Sequence, residues 1–303
     1  MVGLGELLWD LLPSGKVLGG APANFAYMAQ VLGNEGIIAS RIGDDQLGWE
    51  ARRVIQERGM DASFLQQDAL RKTGTATVRL DAGGQPQFSI EDAVAWDYLD
   101  WTPAWQELSV RANAICFGSL AQRSPASATT IEHFLMSAPS STLRICDANL
   151  REPFYTAQTL RRSFQIANVL KLNDAELIRV SALLAIEGAS EEERAANLRR
   201  KFDLELVCVT KGARGSLLVS ATEVVRHAGL SVQVADAIGA GDAFTACVAH
   251  YWMQGRPLEQ MSVAANSFAS WVATQVGATP VISRDRLEEI LNLGSPGNTK
   301  VSA

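Results

Sequence analysis

A chain of 303 residues is long enough for one large α/β domain with a substantial core and room for a small appended lid. At 47% hydrophobic and 20% charged it has the composition of an ordinary soluble enzyme. Its net charge of −6 counts against nucleic acid or an anionic membrane as partner, so any phosphate ligand must be held by local backbone and a few basic groups.

Val2–Leu8 is a short apolar run and reads as a buried strand. Gly3-Leu-Gly5 begins like a dinucleotide fingerprint, but Leu8 stands where the third glycine would be. Gly15-Lys16 is followed by Val17 and lacks the upstream glycine, which excludes a Walker P-loop. Gly19-Gly20-Ala-Pro-Ala-Asn24 then opens a helix. Pro22 takes a first-turn position, Phe25, Ala26, Met28, Ala29 and Leu32 share one face, and Gly33 closes it. Glycines permit close backbone approach and Asn24 offers donors and acceptors, as polyol recognition requires; the same pattern is also ordinary helix punctuation. Gly36–Ile42 reads as a strand, and Leu47–Arg58 as a helix ending at Gly59. Thr73–Leu80 alternates, meets a turn at Asp81-Ala-Gly-Gly84 and resumes at Gln87–Ile90. That is a β-hairpin inside an α/β chain, either a lid over an active site or an antiparallel edge.

Ala114–Phe117, Leu143–Cys146, Val169–Leu172 and Leu206–Val209 continue the series of buried strands. Asp147-Ala-Asn-Leu-Arg151 follows one strand end, where open α/β sheets bind ligands, so Arg151 is either an anion or substrate clamp or a surface arginine. Asn173-Asp-Ala-Glu176 is a capping-box pattern that could also organise Mg²⁺ and its water shell. Glu191–Lys201 is a charged surface helix, and Thr210-Lys-Gly212-Ala-Arg-Gly215 is a plain turn or a loop against a nucleotide. The strongest local signal is Asp236-Ala-Ile-Gly-Ala-Gly-Asp242-Ala-Phe244 ahead of the apolar helix Thr245–Gln254. Glycines before a helix let its N–H groups approach an anion, and a carboxylate beside bound phosphate suits a base for a hydroxyl proton. Met261–Ser283 carries no charge, but Ser262, Asn266, Ser267 and Gln275 make it too polar for lipid, so it reads as an internal small-residue helix. Gly294–Ala303 reads as a frayed tail. This β-α alternation implies a mostly parallel sheet covered on both faces.

Cys116, Cys146, Cys208 and Cys247 lie far apart without a C-x-x-C pair and read as small buried hydrophobes in a reducing compartment. His133, His227 and His250 lack zinc-site spacing. Glu6 and Asp10 interrupt the first apolar stretch, so no signal peptide is expected and the protein is expected to be cytoplasmic.

Together, and in this order, these motifs resemble the ribokinase (PfkB) family of carbohydrate kinases over about Val2 to Glu289. The resemblance implies a three-layer α/β sandwich around a mostly parallel sheet. One domain over 1–293 would carry small β-lid elements near 10–18 and 73–98, and a homodimer through the lid. It implies ATP and Mg²⁺ as cofactors, Asp242 as base, and the amides of Gly239, Ala240 and Gly241 as an anion hole. Asp10, Gly19, Gly20, Asn24 and Asp44 correspond to sugar contacts, joined by Arg151. Asn173 and Glu176 match the Mg²⁺ element, Thr210, Gly212 and Gly215 the nucleotide loop, and Asn266 falls near the adenine pocket. Asp236 matches the start of a K⁺ loop, although Ala237 stands where threonine is common and Val281 where some members place a polar residue. Val94-Ala-Trp96-Asp97, Gly118–Arg123 and Asp147–Arg151 resemble the fructokinase-like branch, which puts fructose first. The Asn-Leu-Arg stretch is also similar to 2-keto-3-deoxygluconate kinases; other hexoses and nucleosides are further alternatives. Outside the enzyme class stands a non-catalytic sugar or nucleotide sensor, which would not need the base.

Overall fold

The computed structural model describes residues 1–12, 15–80 and 86–292. In chain order the strands are β1 (Val2–Leu4), β2 (Leu8–Leu12), β3 (Gly15–Gly19), β4 (Ile37–Gly43), β5 (Leu65–Asp68), β6 (Gly74–Leu80), β7 (Pro86–Ile90), β8 (Ala114–Gly118), β9 (Leu143–Asp147), β10 (Val169–Asn173), β11 (Leu206–Thr210), β12 (Ser216–Val219) and β13 (Val224–His227). The helices are α1 (Ala21–Val31), α2 (Gln46–Glu57), α3 (Pro103–Arg111), α4 (Pro125–Ser137), α5 (Ala157–Ile166), α6 (Asp174–Leu184), α7 (Glu191–Phe202), α8 (Ala240–Met253), α9 (Leu258–Ala273) and α10 (Arg284–Asn292).

Nine strands form one sheet in the order β13-β12-β11-β10-β9-β8-β1-β4-β5, parallel from β11 to β5 and antiparallel at the β12 and β13 edge. Side-chain alternation divides its two faces. Ala114 and Cys116 of β8, Leu143 and Ile145 of β9 and Leu206 and Cys208 of β11 join a core with α1, α8 and α9. Ile115, Phe117, Cys146, Val207 and Val209 join the opposite core with helices α3 to α7. This is the expected three-layer sandwich. All four cysteines are free and buried. No helix among the described residues is long and apolar enough to cross a membrane.

Chain order reverses at β1, which has β8 on one side and β4 on the other. The ligand crevice of an open α/β sheet belongs outside the carboxyl ends of the strands at such a point.

The sequence reads Val2–Leu8 as one strand, and the structure divides it. Gly5, at φ 144°, turns the chain out of the sheet, and β2 enters a second, four-stranded sheet in the order β3-β2-β6-β7. Both halves are apolar because each is buried, so the run shows no break. The expected hairpin is present as the antiparallel β6–β7 pair, while its turn at Asp81–Gly84 lies outside the described residues. The four-stranded sheet ends at Ile90 rather than near residue 98. Fully buried Trp96 returns the chain to the main core, where Arg123 stacks on its ring and pairs with Asp97. The expected tail at 294–303 also lies outside the described residues.

Close approach of β1 to α1 sets where the first helix starts. A Cβ on Gly3 would stand 1.8 Å from the Pro22 carbonyl oxygen, a backbone atom that cannot move aside alone. Gly3→Ala is therefore expected to destabilise the protein by about 3 kcal/mol as an overpacked contact. The check is a lower urea midpoint at unchanged m-value.

Candidate active site

Residues from the turn after β1, the centre of β10, the β9–α5 loop, the starts of α1 and α8 and the four-stranded sheet surround a cavity of about 360 Å³. Ala76 of β6 and Ile90 of β7 supply part of its apolar wall.

Helix α8 begins at Gly239, which has φ 80° and could not carry a side chain, because a Cβ would stand 2.4 Å from the Ala278 carbonyl oxygen. No side chain caps this end. Gly239 and Gly241 of this turn line the cavity, and only a long 3.4 Å bond to the Ala237 carbonyl occupies the Ala240 N–H, so the turn can receive an anion, reinforced by the helix dipole. Asp242 lies in that first turn, partly buried, and its Oδ2 accepts a 2.8 Å hydrogen bond from Asn24 Nδ2 of α1. Withdrawal from water, with the charge of Asp147, pushes its carboxyl up to about 6; Asn24, Lys171 and Arg151 pull the other way. The result is a carboxylate ionised at neutral pH yet basic enough to take a proton.

The polar wall opposite is built on the glycine pair. Gly19 lies across the β2–β3 ladder from Leu8, and a Cβ there would stand 2.5 Å from Asp10 Oδ2, so its bareness leaves room for that carboxylate. Gly20, at φ 110°, brings the start of α1 onto the Glu6 carbonyl, 2.5 Å from where its Cβ would be. Asp10, Gly20, Asn24 and Arg151 line the cavity, while Gly19 stands behind Asp10 and does not. Burial raises the Asp10 pKa against the pull of Arg151. Among the described residues, the Arg151 side chain hydrogen-bonds to none.

Asp44 is not brought to the cavity. It is exposed, and its Oδ1 accepts from Trp49 Nε1 at 3.0 Å and Gln67 Nε2 at 2.7 Å. Its neighbour Asp45 turns inward to cap α2 and hold Thr73, so this pair serves the frame of the site. Asn173 and Glu176 form the reciprocal capping box of α6 through two 2.8 Å bonds. The other Glu176 oxygen accepts from the Leu150 N–H at 2.8 Å and so anchors the loop that carries Arg151. Asp236 accepts from the amides of Ile238 and Gly277, tying its loop to the turn after α9. The Thr210–Gly215 loop closes tightly, because a Cβ on Gly215 would stand 2.0 Å from the His227 carbonyl oxygen. Asn266 donates to Ser216 Oγ and the Ser262 carbonyl, both at 2.7 Å, which joins α9 to the strand after that loop. No cluster of three or more metal-ligating side chains exists among the described residues.

Two charged residues of the cavity belong to no sequence motif. Glu6 is 2% exposed, lines the cavity, and has an Oε2 without a hydrogen-bond partner. Lys171 stands at the centre of β10, and Asp147 pairs with it. The available signal is a charge embedded in an apolar run, Gly-Glu6-Leu-Leu and Val-Leu-Lys171-Leu.

The chain matches the description pfkB family carbohydrate kinase over residues 14–284. It is 31% identical to a fructokinase of Escherichia coli over 260 residues, 80% of this chain and 81% of that protein. It is 26% identical to a fructokinase of Vibrio alginolyticus over 302 residues, 90% and 92% of the two. Its fold is similar to a crystal structure of a fructokinase with bound ATP from Xylella fastidiosa, with TM-score 0.82 and 24% identity over 97% of each chain. The chain belongs to the pfkB family of carbohydrate kinases. This bears out the enzyme class expected from the sequence, a carbohydrate kinase.

Burial of Glu6 gives the site a measurable pH signature. Withdrawal from water, with a smaller push from Asp242, raises its carboxyl from 4.5 to about 7. Because the folded-state value is raised, the proton favours the folded chain, and stability falls as pH rises from 4.5 to about 7. The fall is on the order of 3 kcal/mol. Glu6→Gln is expected to match wild type near pH 4.5 and exceed it by that amount at pH 8, measured by chemical denaturation at both values.

Proposed function

We propose that this protein transfers the γ-phosphoryl group of ATP to a primary hydroxyl of fructose, with Asp242 as general base. The observation that carries this reading is the Asn24–Asp242 hydrogen bond, which holds the carboxylate between the anion site of α8 and the polar cavity.

The sugar lies in the cavity against Asp10, Gly19, Gly20, Asn24 and Arg151. The nucleotide lies along Thr210, Gly212, Gly215 and Asn266, with its terminal phosphate at the amides of Gly239, Ala240 and Gly241. Asp242 accepts the hydroxyl proton as the oxygen attacks, and the α8 amides stabilise the charge that spreads over the phosphoryl oxygens. Each Glu176 oxygen accepts one N–H and keeps a lone pair, which suits water around Mg²⁺ rather than direct ligation. Mg²⁺ supplies neutralisation of phosphate charge. A K⁺ ion beside Asp236 would act through the Ile238–Gly277 turn that this carboxylate closes. The four-stranded sheet forms the lid that excludes water, and its edge strands β3 and β7 are the surface for a homodimer.

The relatives' names support fructose, and so does the charge inventory. Glu6, Asp10 and Asp242 all line the cavity, an environment that favours a neutral ketose over an acid. One observation favours a 2-keto-3-deoxy sugar acid instead: Arg151 lines the cavity with no hydrogen-bond partner among the described residues.

A panel of neutral sugars and sugar acids with Mg²⁺ and ATP tests the substrate, with fructose expected to show the highest kcat/KM and a sugar acid above it overturning the choice. Arg151→Ala is expected to raise the sugar KM more than it lowers kcat, as loss of uniform binding does. Asp242→Asn is expected to lower kcat by about 10²- to 10⁴-fold at unchanged Tm. Wild-type kcat/KM should fall as pH drops through about 6, where Asp242 takes up its proton; turnover of the variant within a few-fold of wild type would refute the assignment of the base.

A further inference from the structure

Lys171 is out of place as a structural residue. On the face of β10 turned towards α8, it follows Val169 and is flanked on β11 by Leu206 and Cys208, all apolar members of one core. It is only 8% exposed. Its Nζ donates to Asp147 Oδ1 at 3.1 Å, and Asp147 is its direct neighbour in the β9–β10 register. Thr245 Oγ1 of α8 shares its one proton between the Gly241 carbonyl at 2.9 Å and Asp147 Oδ2 at 3.3 Å. An ion pair at such a depth adds little stability over apolar residues of the same volume, because both charges must leave water. Its position gives a better reason for its presence.

The ammonium lies against the anion site. A Cβ on Gly241 would stand 3.0 Å from Lys171 Nζ, so the bare glycine leaves this charge uncovered from the side of the α8 turn. Lys171, Gly241 and Asp242 line the same cavity. An ammonium has three N–H donors, and only the one to Asp147 is matched among the described residues. Nearby Asp147, Glu176 and Asp242 hold it in its charged form despite burial.

We infer that Lys171 is a catalytic cation of the anion hole, contacting the phosphoryl group in transfer through the gap at Gly241, with Asp147 and Thr245 as the residues that position it. In the step it serves, the sugar oxygen forms the new O–P bond and its proton passes to Asp242. The bond from the γ-phosphorus to the β–γ bridging oxygen breaks, and ADP leaves with that electron pair. Lys171 keeps its proton throughout and stabilises charge on the phosphoryl oxygens beside the α8 amides. The inference rests on the assignment of Asp242 and the α8 turn as the phosphoryl site.

The test compares Lys171→Met, Asp147→Asn and the double variant K171M/D147N, which removes both buried charges and so keeps a foldable protein if the single change strands Asp147. Steady-state kinetics are read with affinity for ADP and for ADP with aluminium fluoride and the sugar. Loss of a transition-state contact is expected to lower kcat by about 10²- to 10³-fold in both variants lacking the lysine, with KM values within a few-fold. The aluminium fluoride complex should weaken by a similar factor while ADP binds normally. Recovery of turnover in K171M/D147N would overturn the inference, since the loss in Lys171→Met would then come from the stranded Asp147 charge. A double variant active within about three-fold of an active wild type would overturn it alone. A wild type inactive on the whole sugar panel would overturn the kinase chemistry and this inference together.

Discussion

A carboxylate beside the end of a helix must be dry enough to be basic and yet remain charged, and the rest of this site is arranged around that requirement at Asp242. Burial and the charge of Asp147 favour its protonated form; Asn24, Lys171 and Arg151 oppose this, and the balance is about 6. Each opposing group comes from a different element: α1, β10 and the loop after β9. The sheet order makes the convergence possible. With β1 at the reversal point, α1 and α8 pack side by side on one face and open their N-termini to the same crevice.

The glycines serve this arrangement by what they leave empty. Gly19 makes room for Asp10, Gly20 seats the first turn of α1 on the Glu6 backbone, Gly239 lets α8 start against Ala278, and Gly241 bares Lys171. Gly20 and Gly239 also take positive φ, where a side chain would be strained as well as crowded. A glycine-rich pair of motifs is thus two helix starts fitted to backbone and to charge, not two flexible hinges.

Electrostatically the cavity is more acidic than its task suggests. Glu6, Asp10 and Asp242 line it, and burial raises the pKa of all three. Positive charge enters at two points of different character: an exposed arginine on the loop after β9, and a buried lysine below the α8 turn. The first can meet a substrate that comes and goes, while the second is fixed by Asp147 and Thr245 before any ligand arrives. Preorganised charge of the second kind stabilises a transition state without reorganisation during the reaction.

Local chemistry was sufficient for much of this. Alternation of short apolar runs with helical stretches determined a mostly parallel α/β sheet, because buried parallel strands and their helices impose distinct periods on the chain. The Gly-Gly-Ala-Pro-Ala-Asn24 and Asp236–Asp242 motifs marked the two helix starts that line the cavity, because a glycine-opened helix start is a property of a few adjacent residues. What depends on long-range packing was not legible. The division of Val2–Leu8 between two sheets was hidden, since both halves are equally apolar. Asp44 could not be told from Asp45, because which carboxylate turns inward depends on Thr73, distant in sequence. Glu6 and Lys171 showed only as charges inside apolar runs. Their meaning came when β9, β10 and α8, separated by long stretches of chain, brought Asp147, Lys171 and Gly241 within contact, for the depth of a charge and the identity of its partner are decided by the tertiary structure alone.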